Sequence, residues 1–419
     1  MYPSVRPTIV AERAPAGSEE PVGRRPWVSA NVVCLGLTSL FTDVSSEMVT
    51  AILPLYLVFQ LRLTPLQFGV FNGVYLAVAG LMSIAGAVIA DRRRRYKEIA
   101  GAGYALSAAC KVGLLAAGNA PLPASSLLFA DRVGKGVRTS PRDALISLSS
   151  DSDRLGRSFG VHRAFDTVGA VAGPIVAFLV LRAAPDEYDA VFVISFLFAL
   201  LGLGMLVLFV QNRRDALGEH RSATWRGAWE LLSEPHFRKL VIVGTTFGLF
   251  TIADAFIYLT FRDRSTFETA YFPLLYVGTA ISYLVLAIPL GNLADRVGRS
   301  RVFLAGYVLL LGVYLVLLAP SLNGSLLVTM LALLGAFYAC TDGVLVAMTS
   351  VAVPEARRTS GIAVLTTAAA LSGFAASLAF GAMWSWWGSS TTVKMFAVAL
   401  AISIVVGAAT LRVRTRMYG

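Results

Sequence analysis

GNLADRVGR, Gly291 to Arg299, closes one long apolar segment of the chain, and a near-copy, AVIADRRRR, Ala87 to Arg95, closes another. The two aspartates, Asp91 and Asp295, stand 204 residues apart, about half of the 419 residues. In the first copy Ala87 and Arg94 occupy the slots that Gly291 and Gly298 hold in the second. A charged turn repeated at half-length points to two halves built on one plan.

Composition says where such halves reside. Hydrophobic residues make up 56% of the chain and charged residues only 15%, with a mean hydropathy of +0.68. Soluble domains carry about 25% charge, so the sequence describes an integral, multi-pass membrane protein in a lipid bilayer. The +11 net charge is then a matter of which side of the membrane holds it and not a nucleic-acid footprint. Cys34, Cys110 and Cys340 lie in separate apolar segments, which suits packed thiols rather than a disulfide framework or a metal site. Residues 1–26 lack the short apolar core and cleavage site of a signal peptide. The use of Arg over Lys suggests a GC-rich bacterial genome.

A span needs about 20 mostly apolar residues. Twelve segments meet that need: 30–60, 67–90, 98–119, 122–146, 158–181, 188–210, 239–261, 271–294, 301–319, 325–352, 360–386 and 391–411. The expected organisation is a cytoplasmic tail (1–27), a six-helix bundle (28–211), a central cytoplasmic loop (212–238), a second six-helix bundle (239–411) and a short cytoplasmic tail (412–419). With both termini inside, cytoplasmic segments and inner span ends hold 27 of the 36 Lys and Arg. External loops hold four: Arg62, Arg182, Arg262 and Arg264. The positive-inside rule selects that orientation. Trp225, Trp229 and Leu232, among Arg221, Arg226, Arg238 and Lys239, read either as an interfacial amphipathic helix or as a plain tether.

A charge at mid-bilayer costs roughly 2.5–3.5 kcal/mol on insertion scales, so those present are paired or functional. The first span carries Asp43 and Glu47 on one helical face, with Ser46 beside them. The fourth carries Asp131, Arg132 and Lys135, then Arg138 and Arg142, with Arg132 near the midplane. The seventh and tenth carry Asp254 and Asp342. The competing reading of each is a pair that only fixes helix packing. Lys111, well inside the third span, either snorkels or turns inward toward an acid of the first.

The doubled loop, G-x-L-A-D-R-x-G-R, complete at Gly291–Arg299 and partial at Ala87–Arg95, resembles the cytoplasmic loop signature of the major facilitator superfamily of transporters, bacterial twelve-helix type, akin to drug/proton antiporters. ADRVGKGVRTSPRDAL resembles that superfamily's R-x-x-x-G signature, with Arg132 and Gly136 in the key slots. Gly169-Ala-Val-Ala-Gly173-Pro174 resembles the first part of the antiporter signature G-x-x-x-G-P-x-x-G-G, whose final glycines are replaced by Ala177 and Phe178; ordinary small-residue packing is the other reading. The resemblance implies an all-α membrane protein of twelve transmembrane helices in two pseudo-symmetric six-helix bundles. Spans 1, 4, 7 and 10 then line a central cavity, and all four carry charge.

The functional expectation is a monomeric secondary transporter in the bacterial plasma membrane, working by alternating access, without metal or cofactor. Asp43, Glu47, Arg132, Lys135, Asp254 and Asp342 are its expected coupling and transport residues. A guanidinium that never deprotonates favours the ionised form of a nearby carboxylate and releases its proton when the geometry changes; Asp43 or Glu47 is the expected partner of Arg132. Asp91, Arg92, Gly291, Asp295, Arg296, Gly298 and Arg299 form the expected latches, with Arg138, Arg142 or Arg157 as partners for Asp91. Arg163 and Asp166, beside His162, add an inner gate with Arg138, Arg142 and Asp143, or a purely structural network. Phe247, Phe250, Phe256, Tyr258, Phe337 and Tyr338 suggest an aromatic wall for a lipophilic or mixed-polarity small molecule, exported against protons. Proton-coupled import of a small solute such as a siderophore or metabolite is the alternative. No HExxH, CxxC or nucleotide loop favours an enzyme.

Overall fold

The structure, a computed structural model, describes residues 28–150, 155–212, 231–353 and 358–412. Every regular element among them is helical: α1 (Ala30–Leu55, prolonged by a π turn, Tyr56–Gln60), α2 (Pro65–Arg93), α3 (Tyr96–Ala117), α4 (Pro121–Leu148), α5 (Leu155–Ala183), α6 (Tyr188–Phe209), α7 (Pro235–Leu249), α8 (Asp254–Asp263), α9 (Pro273–Val297), α10 (Arg299–Leu317), α11 (Gly324–Ala352) and α12 (Arg358–Arg412), with a 3-10 turn at Thr269–Tyr271. The tails and most of the central loop, with Trp225 and Trp229, lie outside the described residues.

Nine helical segments among the described residues are long and apolar enough to span a bilayer. The last, Val364–Thr410, holds two spans: Gly388, at φ 79° and ψ 163°, breaks α12 into two arms. A left-handed φ of this kind costs glycine nothing sterically. α4 is less apolar because it carries Asp131, Arg132, Lys135, Arg138, Arg142 and Asp143, yet it buries Asp131, Arg132 and Arg138 along its inner face. Helix starts are set by local chemistry. Ser29 caps α1, Thr64 and Gln67 form a capping box on α2, and Asn323 caps α11, each satisfying backbone donors that a helix end leaves free.

The seventh span departs from the expected continuous helix. α7 stops at Leu249, Ala253 is extended (φ −64°, ψ 144°), and α8 begins at Asp254. An unpaired backbone group in hydrocarbon is costly, and Tyr314 on α10 removes that cost. Its hydroxyl accepts from the Ile252 amide at 2.7 Å and donates to the Phe250 carbonyl at 2.9 Å.

Within the first half α1 packs on α5 and α6, α3 on α4 and α6, and α2 on α4; within the second α9 packs on α11, α10 on α11 and α12, and α7 on α12. The halves meet along α2–α12 and α5–α9. Each contact joins the second span of one half to the fifth of the other, so the pairing itself is pseudo-two-fold. Where α2 crosses the first arm of α12, backbones touch: a Cβ on Gly69 would lie 2.5 Å from the Ser377 carbonyl, and one on Gly381 2.4 Å from the Pro65 carbonyl.

The repeated turns occupy one end of the bundle, called here the basic end. Ala90 and Ala294, just before the two aspartates, are both buried. The turns then diverge. Gly298 sits at φ 102°, ψ 129°, whereas Arg94 in the matching slot adopts φ 50°, ψ 38°. An L-residue reaches the second conformation at modest cost but not the first, so the glycine-to-arginine change has re-formed the loop.

Candidate functional site

Between the halves lies a cavity of about 500 Å³. Its first-half wall includes Thr50, Asn72 and Tyr75, and its second-half wall Asp254, Tyr276, Tyr307, Phe337, Tyr338 and Asp342. A chamber of about 280 Å³ opens beside it, sharing Asp254, Tyr276, Tyr338 and Asp342 and adding Tyr258, Thr279 and Tyr283. Among the described residues no Lys, Arg or His lines either space. The Tyr338 hydroxyl donates to Asp254 at 2.7 Å. Asp342 is exposed, with no hydrogen-bond or ion-pair partner among the described residues.

At the end opposite the basic turns the cavity is closed. Phe68 stacks edge-on to Phe256 at 4.9 Å, and Phe256 contacts Phe380 and Trp384 at 4.8 and 5.7 Å. Asn72 donates to Ser377 at 3.0 Å, the Leu66 amide donates to Ser385 at 3.0 Å, and Arg262 lies over the Phe59 ring at 4.0 Å. Lining residues Leu53, Phe68 and Ile252 are buried there. Toward the basic end Leu76, Thr366 and Ala369 are exposed, so the cavity opens at that end.

The charges embedded in α1, α3 and α4 meet in pairs. Lys111 and Asp131, both buried, meet at 2.9 Å, and Arg132 bonds the other oxygen of Asp131 at 3.2 Å while lying over the Tyr75 ring at 4.4 Å. Lys135 meets Glu47 at 2.9 Å. Arg138 sits 3.9 Å from Asp43, donates to Ser46 at 3.4 Å and lies over Tyr104 at 4.5 Å. The expected Arg132 pairing with Asp43 or Glu47 is therefore not made: the two acids face Arg138 and Lys135, and Arg132 faces its neighbour Asp131. Lys111 neither snorkels nor reaches the first span; α3 and α4 cross so closely at Gly103 and Gly134 that Asp131 is its nearest acid.

The glycines of the fifth-span motif act on those acids through packing. A Cβ on Gly169 would lie 3.0 Å from the Asp43 Cβ, and one on Gly173 2.8 Å from the Glu47 Cβ. Glycines four apart thus seat α5 against the face of α1 that carries the acids, with Pro174 buried beside them.

Toward the basic end, Arg142 bonds its neighbour Asp143 at 3.0 Å and Ser39 at 3.1 Å, and His162 approaches Asp166 at 3.4 Å, while Arg163 is exposed. Asp295 pairs with Arg299 of the same turn at 3.0 Å, and Arg299 reaches the Ala347 carbonyl of α11 at 3.5 Å. Arg92 and Arg296 are exposed, and nothing lies within 4 Å of a Cβ on Gly291. The Asp91 side chain lies outside the described residues; Arg138 and Arg142, two of its expected partners, bond elsewhere.

Of the expected aromatic wall, Phe337 and Tyr338 line the main cavity and Tyr258 the side chamber. Phe247 stacks on Tyr307 at 4.1 Å, Phe250 packs on Phe396, and Phe256 belongs to the closed end. Tyr75, Tyr276 and Tyr307 were not expected at the cavity. A helical-wheel placement of Tyr276 and Tyr338 on faces shared with Thr279 and Asp342 is the one sequence signal for the side chamber.

A sequence profile described as Major Facilitator Superfamily matches residues 35–278 and 263–417. The chain belongs to that superfamily. An uncharacterized MFS-type transporter of Methanocaldococcus jannaschii is 29% identical over 365 residues, covering 85% of this chain and 89% of the relative. The crystal structure of the nucleoside transporter NupG superposes with a TM-score of 0.77 at 14% identity, over 90% of this chain and 99% of that one. A POT family transporter in complex with 5-aminolevulinic acid gives 0.77 at 14% identity, over 93% and 96%. This member of the Major Facilitator Superfamily is thus a multi-pass membrane transporter and not an enzyme.

Proposed function

We propose that the protein is a proton-coupled exporter of a mixed-polarity small organic molecule, working as a monomer in the plasma membrane of a bacterium with both termini in the cytoplasm. The observation that carries this reading is a pair of carboxylates, Asp254 and Asp342, in an aromatic cavity that no cationic side chain lines among the described residues. A carboxylate in such a place holds a proton or a polar group of the ligand, and one site does not hold both together. Loading one releases the other, which is exchange. Protons flow inward in an energised cell, so the organic molecule leaves.

The orientation set by the basic loops places the open end of the cavity at the cytoplasm, where an export substrate enters. Glu47–Lys135 and Asp43–Arg138 are the first-half pairs whose rearrangement accompanies rocking of one bundle against the other. Asp295–Arg299 and the Asp91 turn serve as latches at the cytoplasmic end, and the Phe256 cluster as the outer gate.

The test is flux in proteoliposomes with an acid interior, using labelled non-titratable amphiphiles of positive, zero and negative charge and empty liposomes as the blank. The proposal expects uptake that collapses with the pH gradient and is lost in Asp254→Asn with Asp342→Asn. Flux indifferent to the gradient refutes coupling, and uptake that requires an acid exterior makes the protein an importer.

A further inference from the structure

We propose that the 280 Å³ side chamber is a cage for the alkylated ammonium head group of an organic cation, whose apolar body lies in the adjoining 500 Å³ cavity. The inference rests on the reading of that cavity as the substrate site and names the chemistry it selects.

Four tyrosines, Tyr258, Tyr276, Tyr283 and Tyr338, surround the chamber with Asp254 and Asp342. Two of the hydroxyls are already engaged: Tyr258 with Thr279 at 2.8 Å and Tyr338 with Asp254 at 2.7 Å. Those bonds fix the two rings: Tyr258 is fully buried behind the wall, while Tyr276, Tyr283 and Tyr338 are partly exposed and form the surface a ligand meets. Tyr258 packs edge to face against Tyr276, 4.8 Å apart at 77°, and so holds the Tyr276 ring in place as a wall of the chamber. Aromatic faces carry negative electrostatic potential and attract alkylammonium groups.

Charge selects in the same direction. With no Lys, Arg or His on either lining among the described residues and Asp342 lacking a partner there, the formal charge facing the chamber is negative and favours a cation over an anion. A bare divalent ion needs about six oxygen ligands, and no group of three metal-binding side chains occurs among the described residues. A chamber of 280 Å³ is also several times the ~30 Å³ share of one water, a space for a substituted nitrogen. Because Asp254, Tyr276, Tyr338 and Asp342 border both spaces, a head group in the chamber leaves its substituent pointing into the larger cavity.

The test is binding of radiolabelled benzyltrimethylammonium to the full chain in lipid nanodiscs, with two competitors: neopentylbenzene, its neutral carbon isostere, and benzenesulfonate. The cage predicts that the isostere competes at least tenfold more weakly than the unlabelled cation and that the sulfonate does not compete. Tyr276→Phe keeps the ring and should hold affinity within threefold, while Tyr276→Leu should lose at least tenfold. Equal competition by the isostere, no binding of the cation, or full affinity in Tyr276→Leu overturns the proposal; if the leucine variant does not fold, the isostere comparison on the unaltered chain decides. Gradient-driven flux without cation preference would overturn the cage and leave proton exchange standing. Cage-dependent binding with gradient-independent flux would do the reverse.

Discussion

Asp131→Asn is the most informative single change in the first half. Asp131 is the one carboxylate between two buried cations, Lys111 at 2.9 Å and Arg132 at 3.2 Å. At an effective dielectric of 20 the gross Lys111–Asp131 attraction at that distance is about 6 kcal/mol. Most of it offsets desolvation, and stranding a buried charge typically costs about 3–5 kcal/mol. After the change Lys111 keeps only neutral acceptors, the Ser107 carbonyl at 3.2 Å and the amide oxygen of the new side chain, and Arg132 retains the Tyr75 ring, so both cations lose their counter-charge. Lys111→Met is the contrast, since it removes a cation yet leaves the Asp131–Arg132 bond, at an expected cost of about 1–2 kcal/mol by the same reasoning. Thermal unfolding of the purified protein in detergent reads the difference. With an unfolding entropy of about 2.1 cal/mol/K per residue over 419 residues, Asp131→Asn should lower Tm by roughly 3–6 °C and Lys111→Met by roughly 1–2 °C. A Lys111→Met variant as damaged as Asp131→Asn would refute the view that Asp131 neutralises two cations at once.

Gly173→Ala should destabilise by about 1–3 kcal/mol, because its Cβ meets the Val44 carbonyl and the Glu47 Cβ at 2.8 Å and overpacking costs that much; Gly291→Ala, in open space, should leave Tm unchanged in the same melt. Tyr314→Phe strands the Phe250 carbonyl and Ile252 amide at about 1–3 kcal/mol each, so amide hydrogen exchange should rise across residues 250–253 while distant helices stay protected. Combining Asp43→Asn with Glu47→Gln should abolish gradient-driven flux in proteoliposomes, and a variant that still transports at the original rate would remove the first-half pairs from the coupling scheme.

The span pattern, the half-length repeat and the charged faces of spans 1, 4, 7 and 10 were readable because each is periodic or compositional. Partners were not. Which cation meets Glu47 depends on the rotation of α4 against α1, which the Gly169/Gly173 contact on α5 and the Gly103/Gly134 crossing of α3 with α4 help to set, three-dimensional facts that no spacing along the chain carries. The broken seventh span was hidden for a related reason. GLFTIADAF contains no proline, and the break is made tolerable by Tyr314, more than sixty residues away. Of the expected aromatic wall, Phe247, Phe250 and Phe256 pack on other rings instead, since an aromatic residue reads the same in sequence whether it faces a cavity or a neighbouring helix.

Alternating access requires the α2–α12 contact to open at the end where it is now closed. Asn72 and Ser377, whose side chains meet at 3.0 Å, offer the direct test: both are changed to Cys in a chain whose Cys34, Cys110 and Cys340 are replaced by Ala. Oxidation should form the cross-link and stop proteoliposome flux, and reduction should restore it, with cation binding from the open end retained throughout. Transport at the unoxidised rate by fully cross-linked protein would contradict the account.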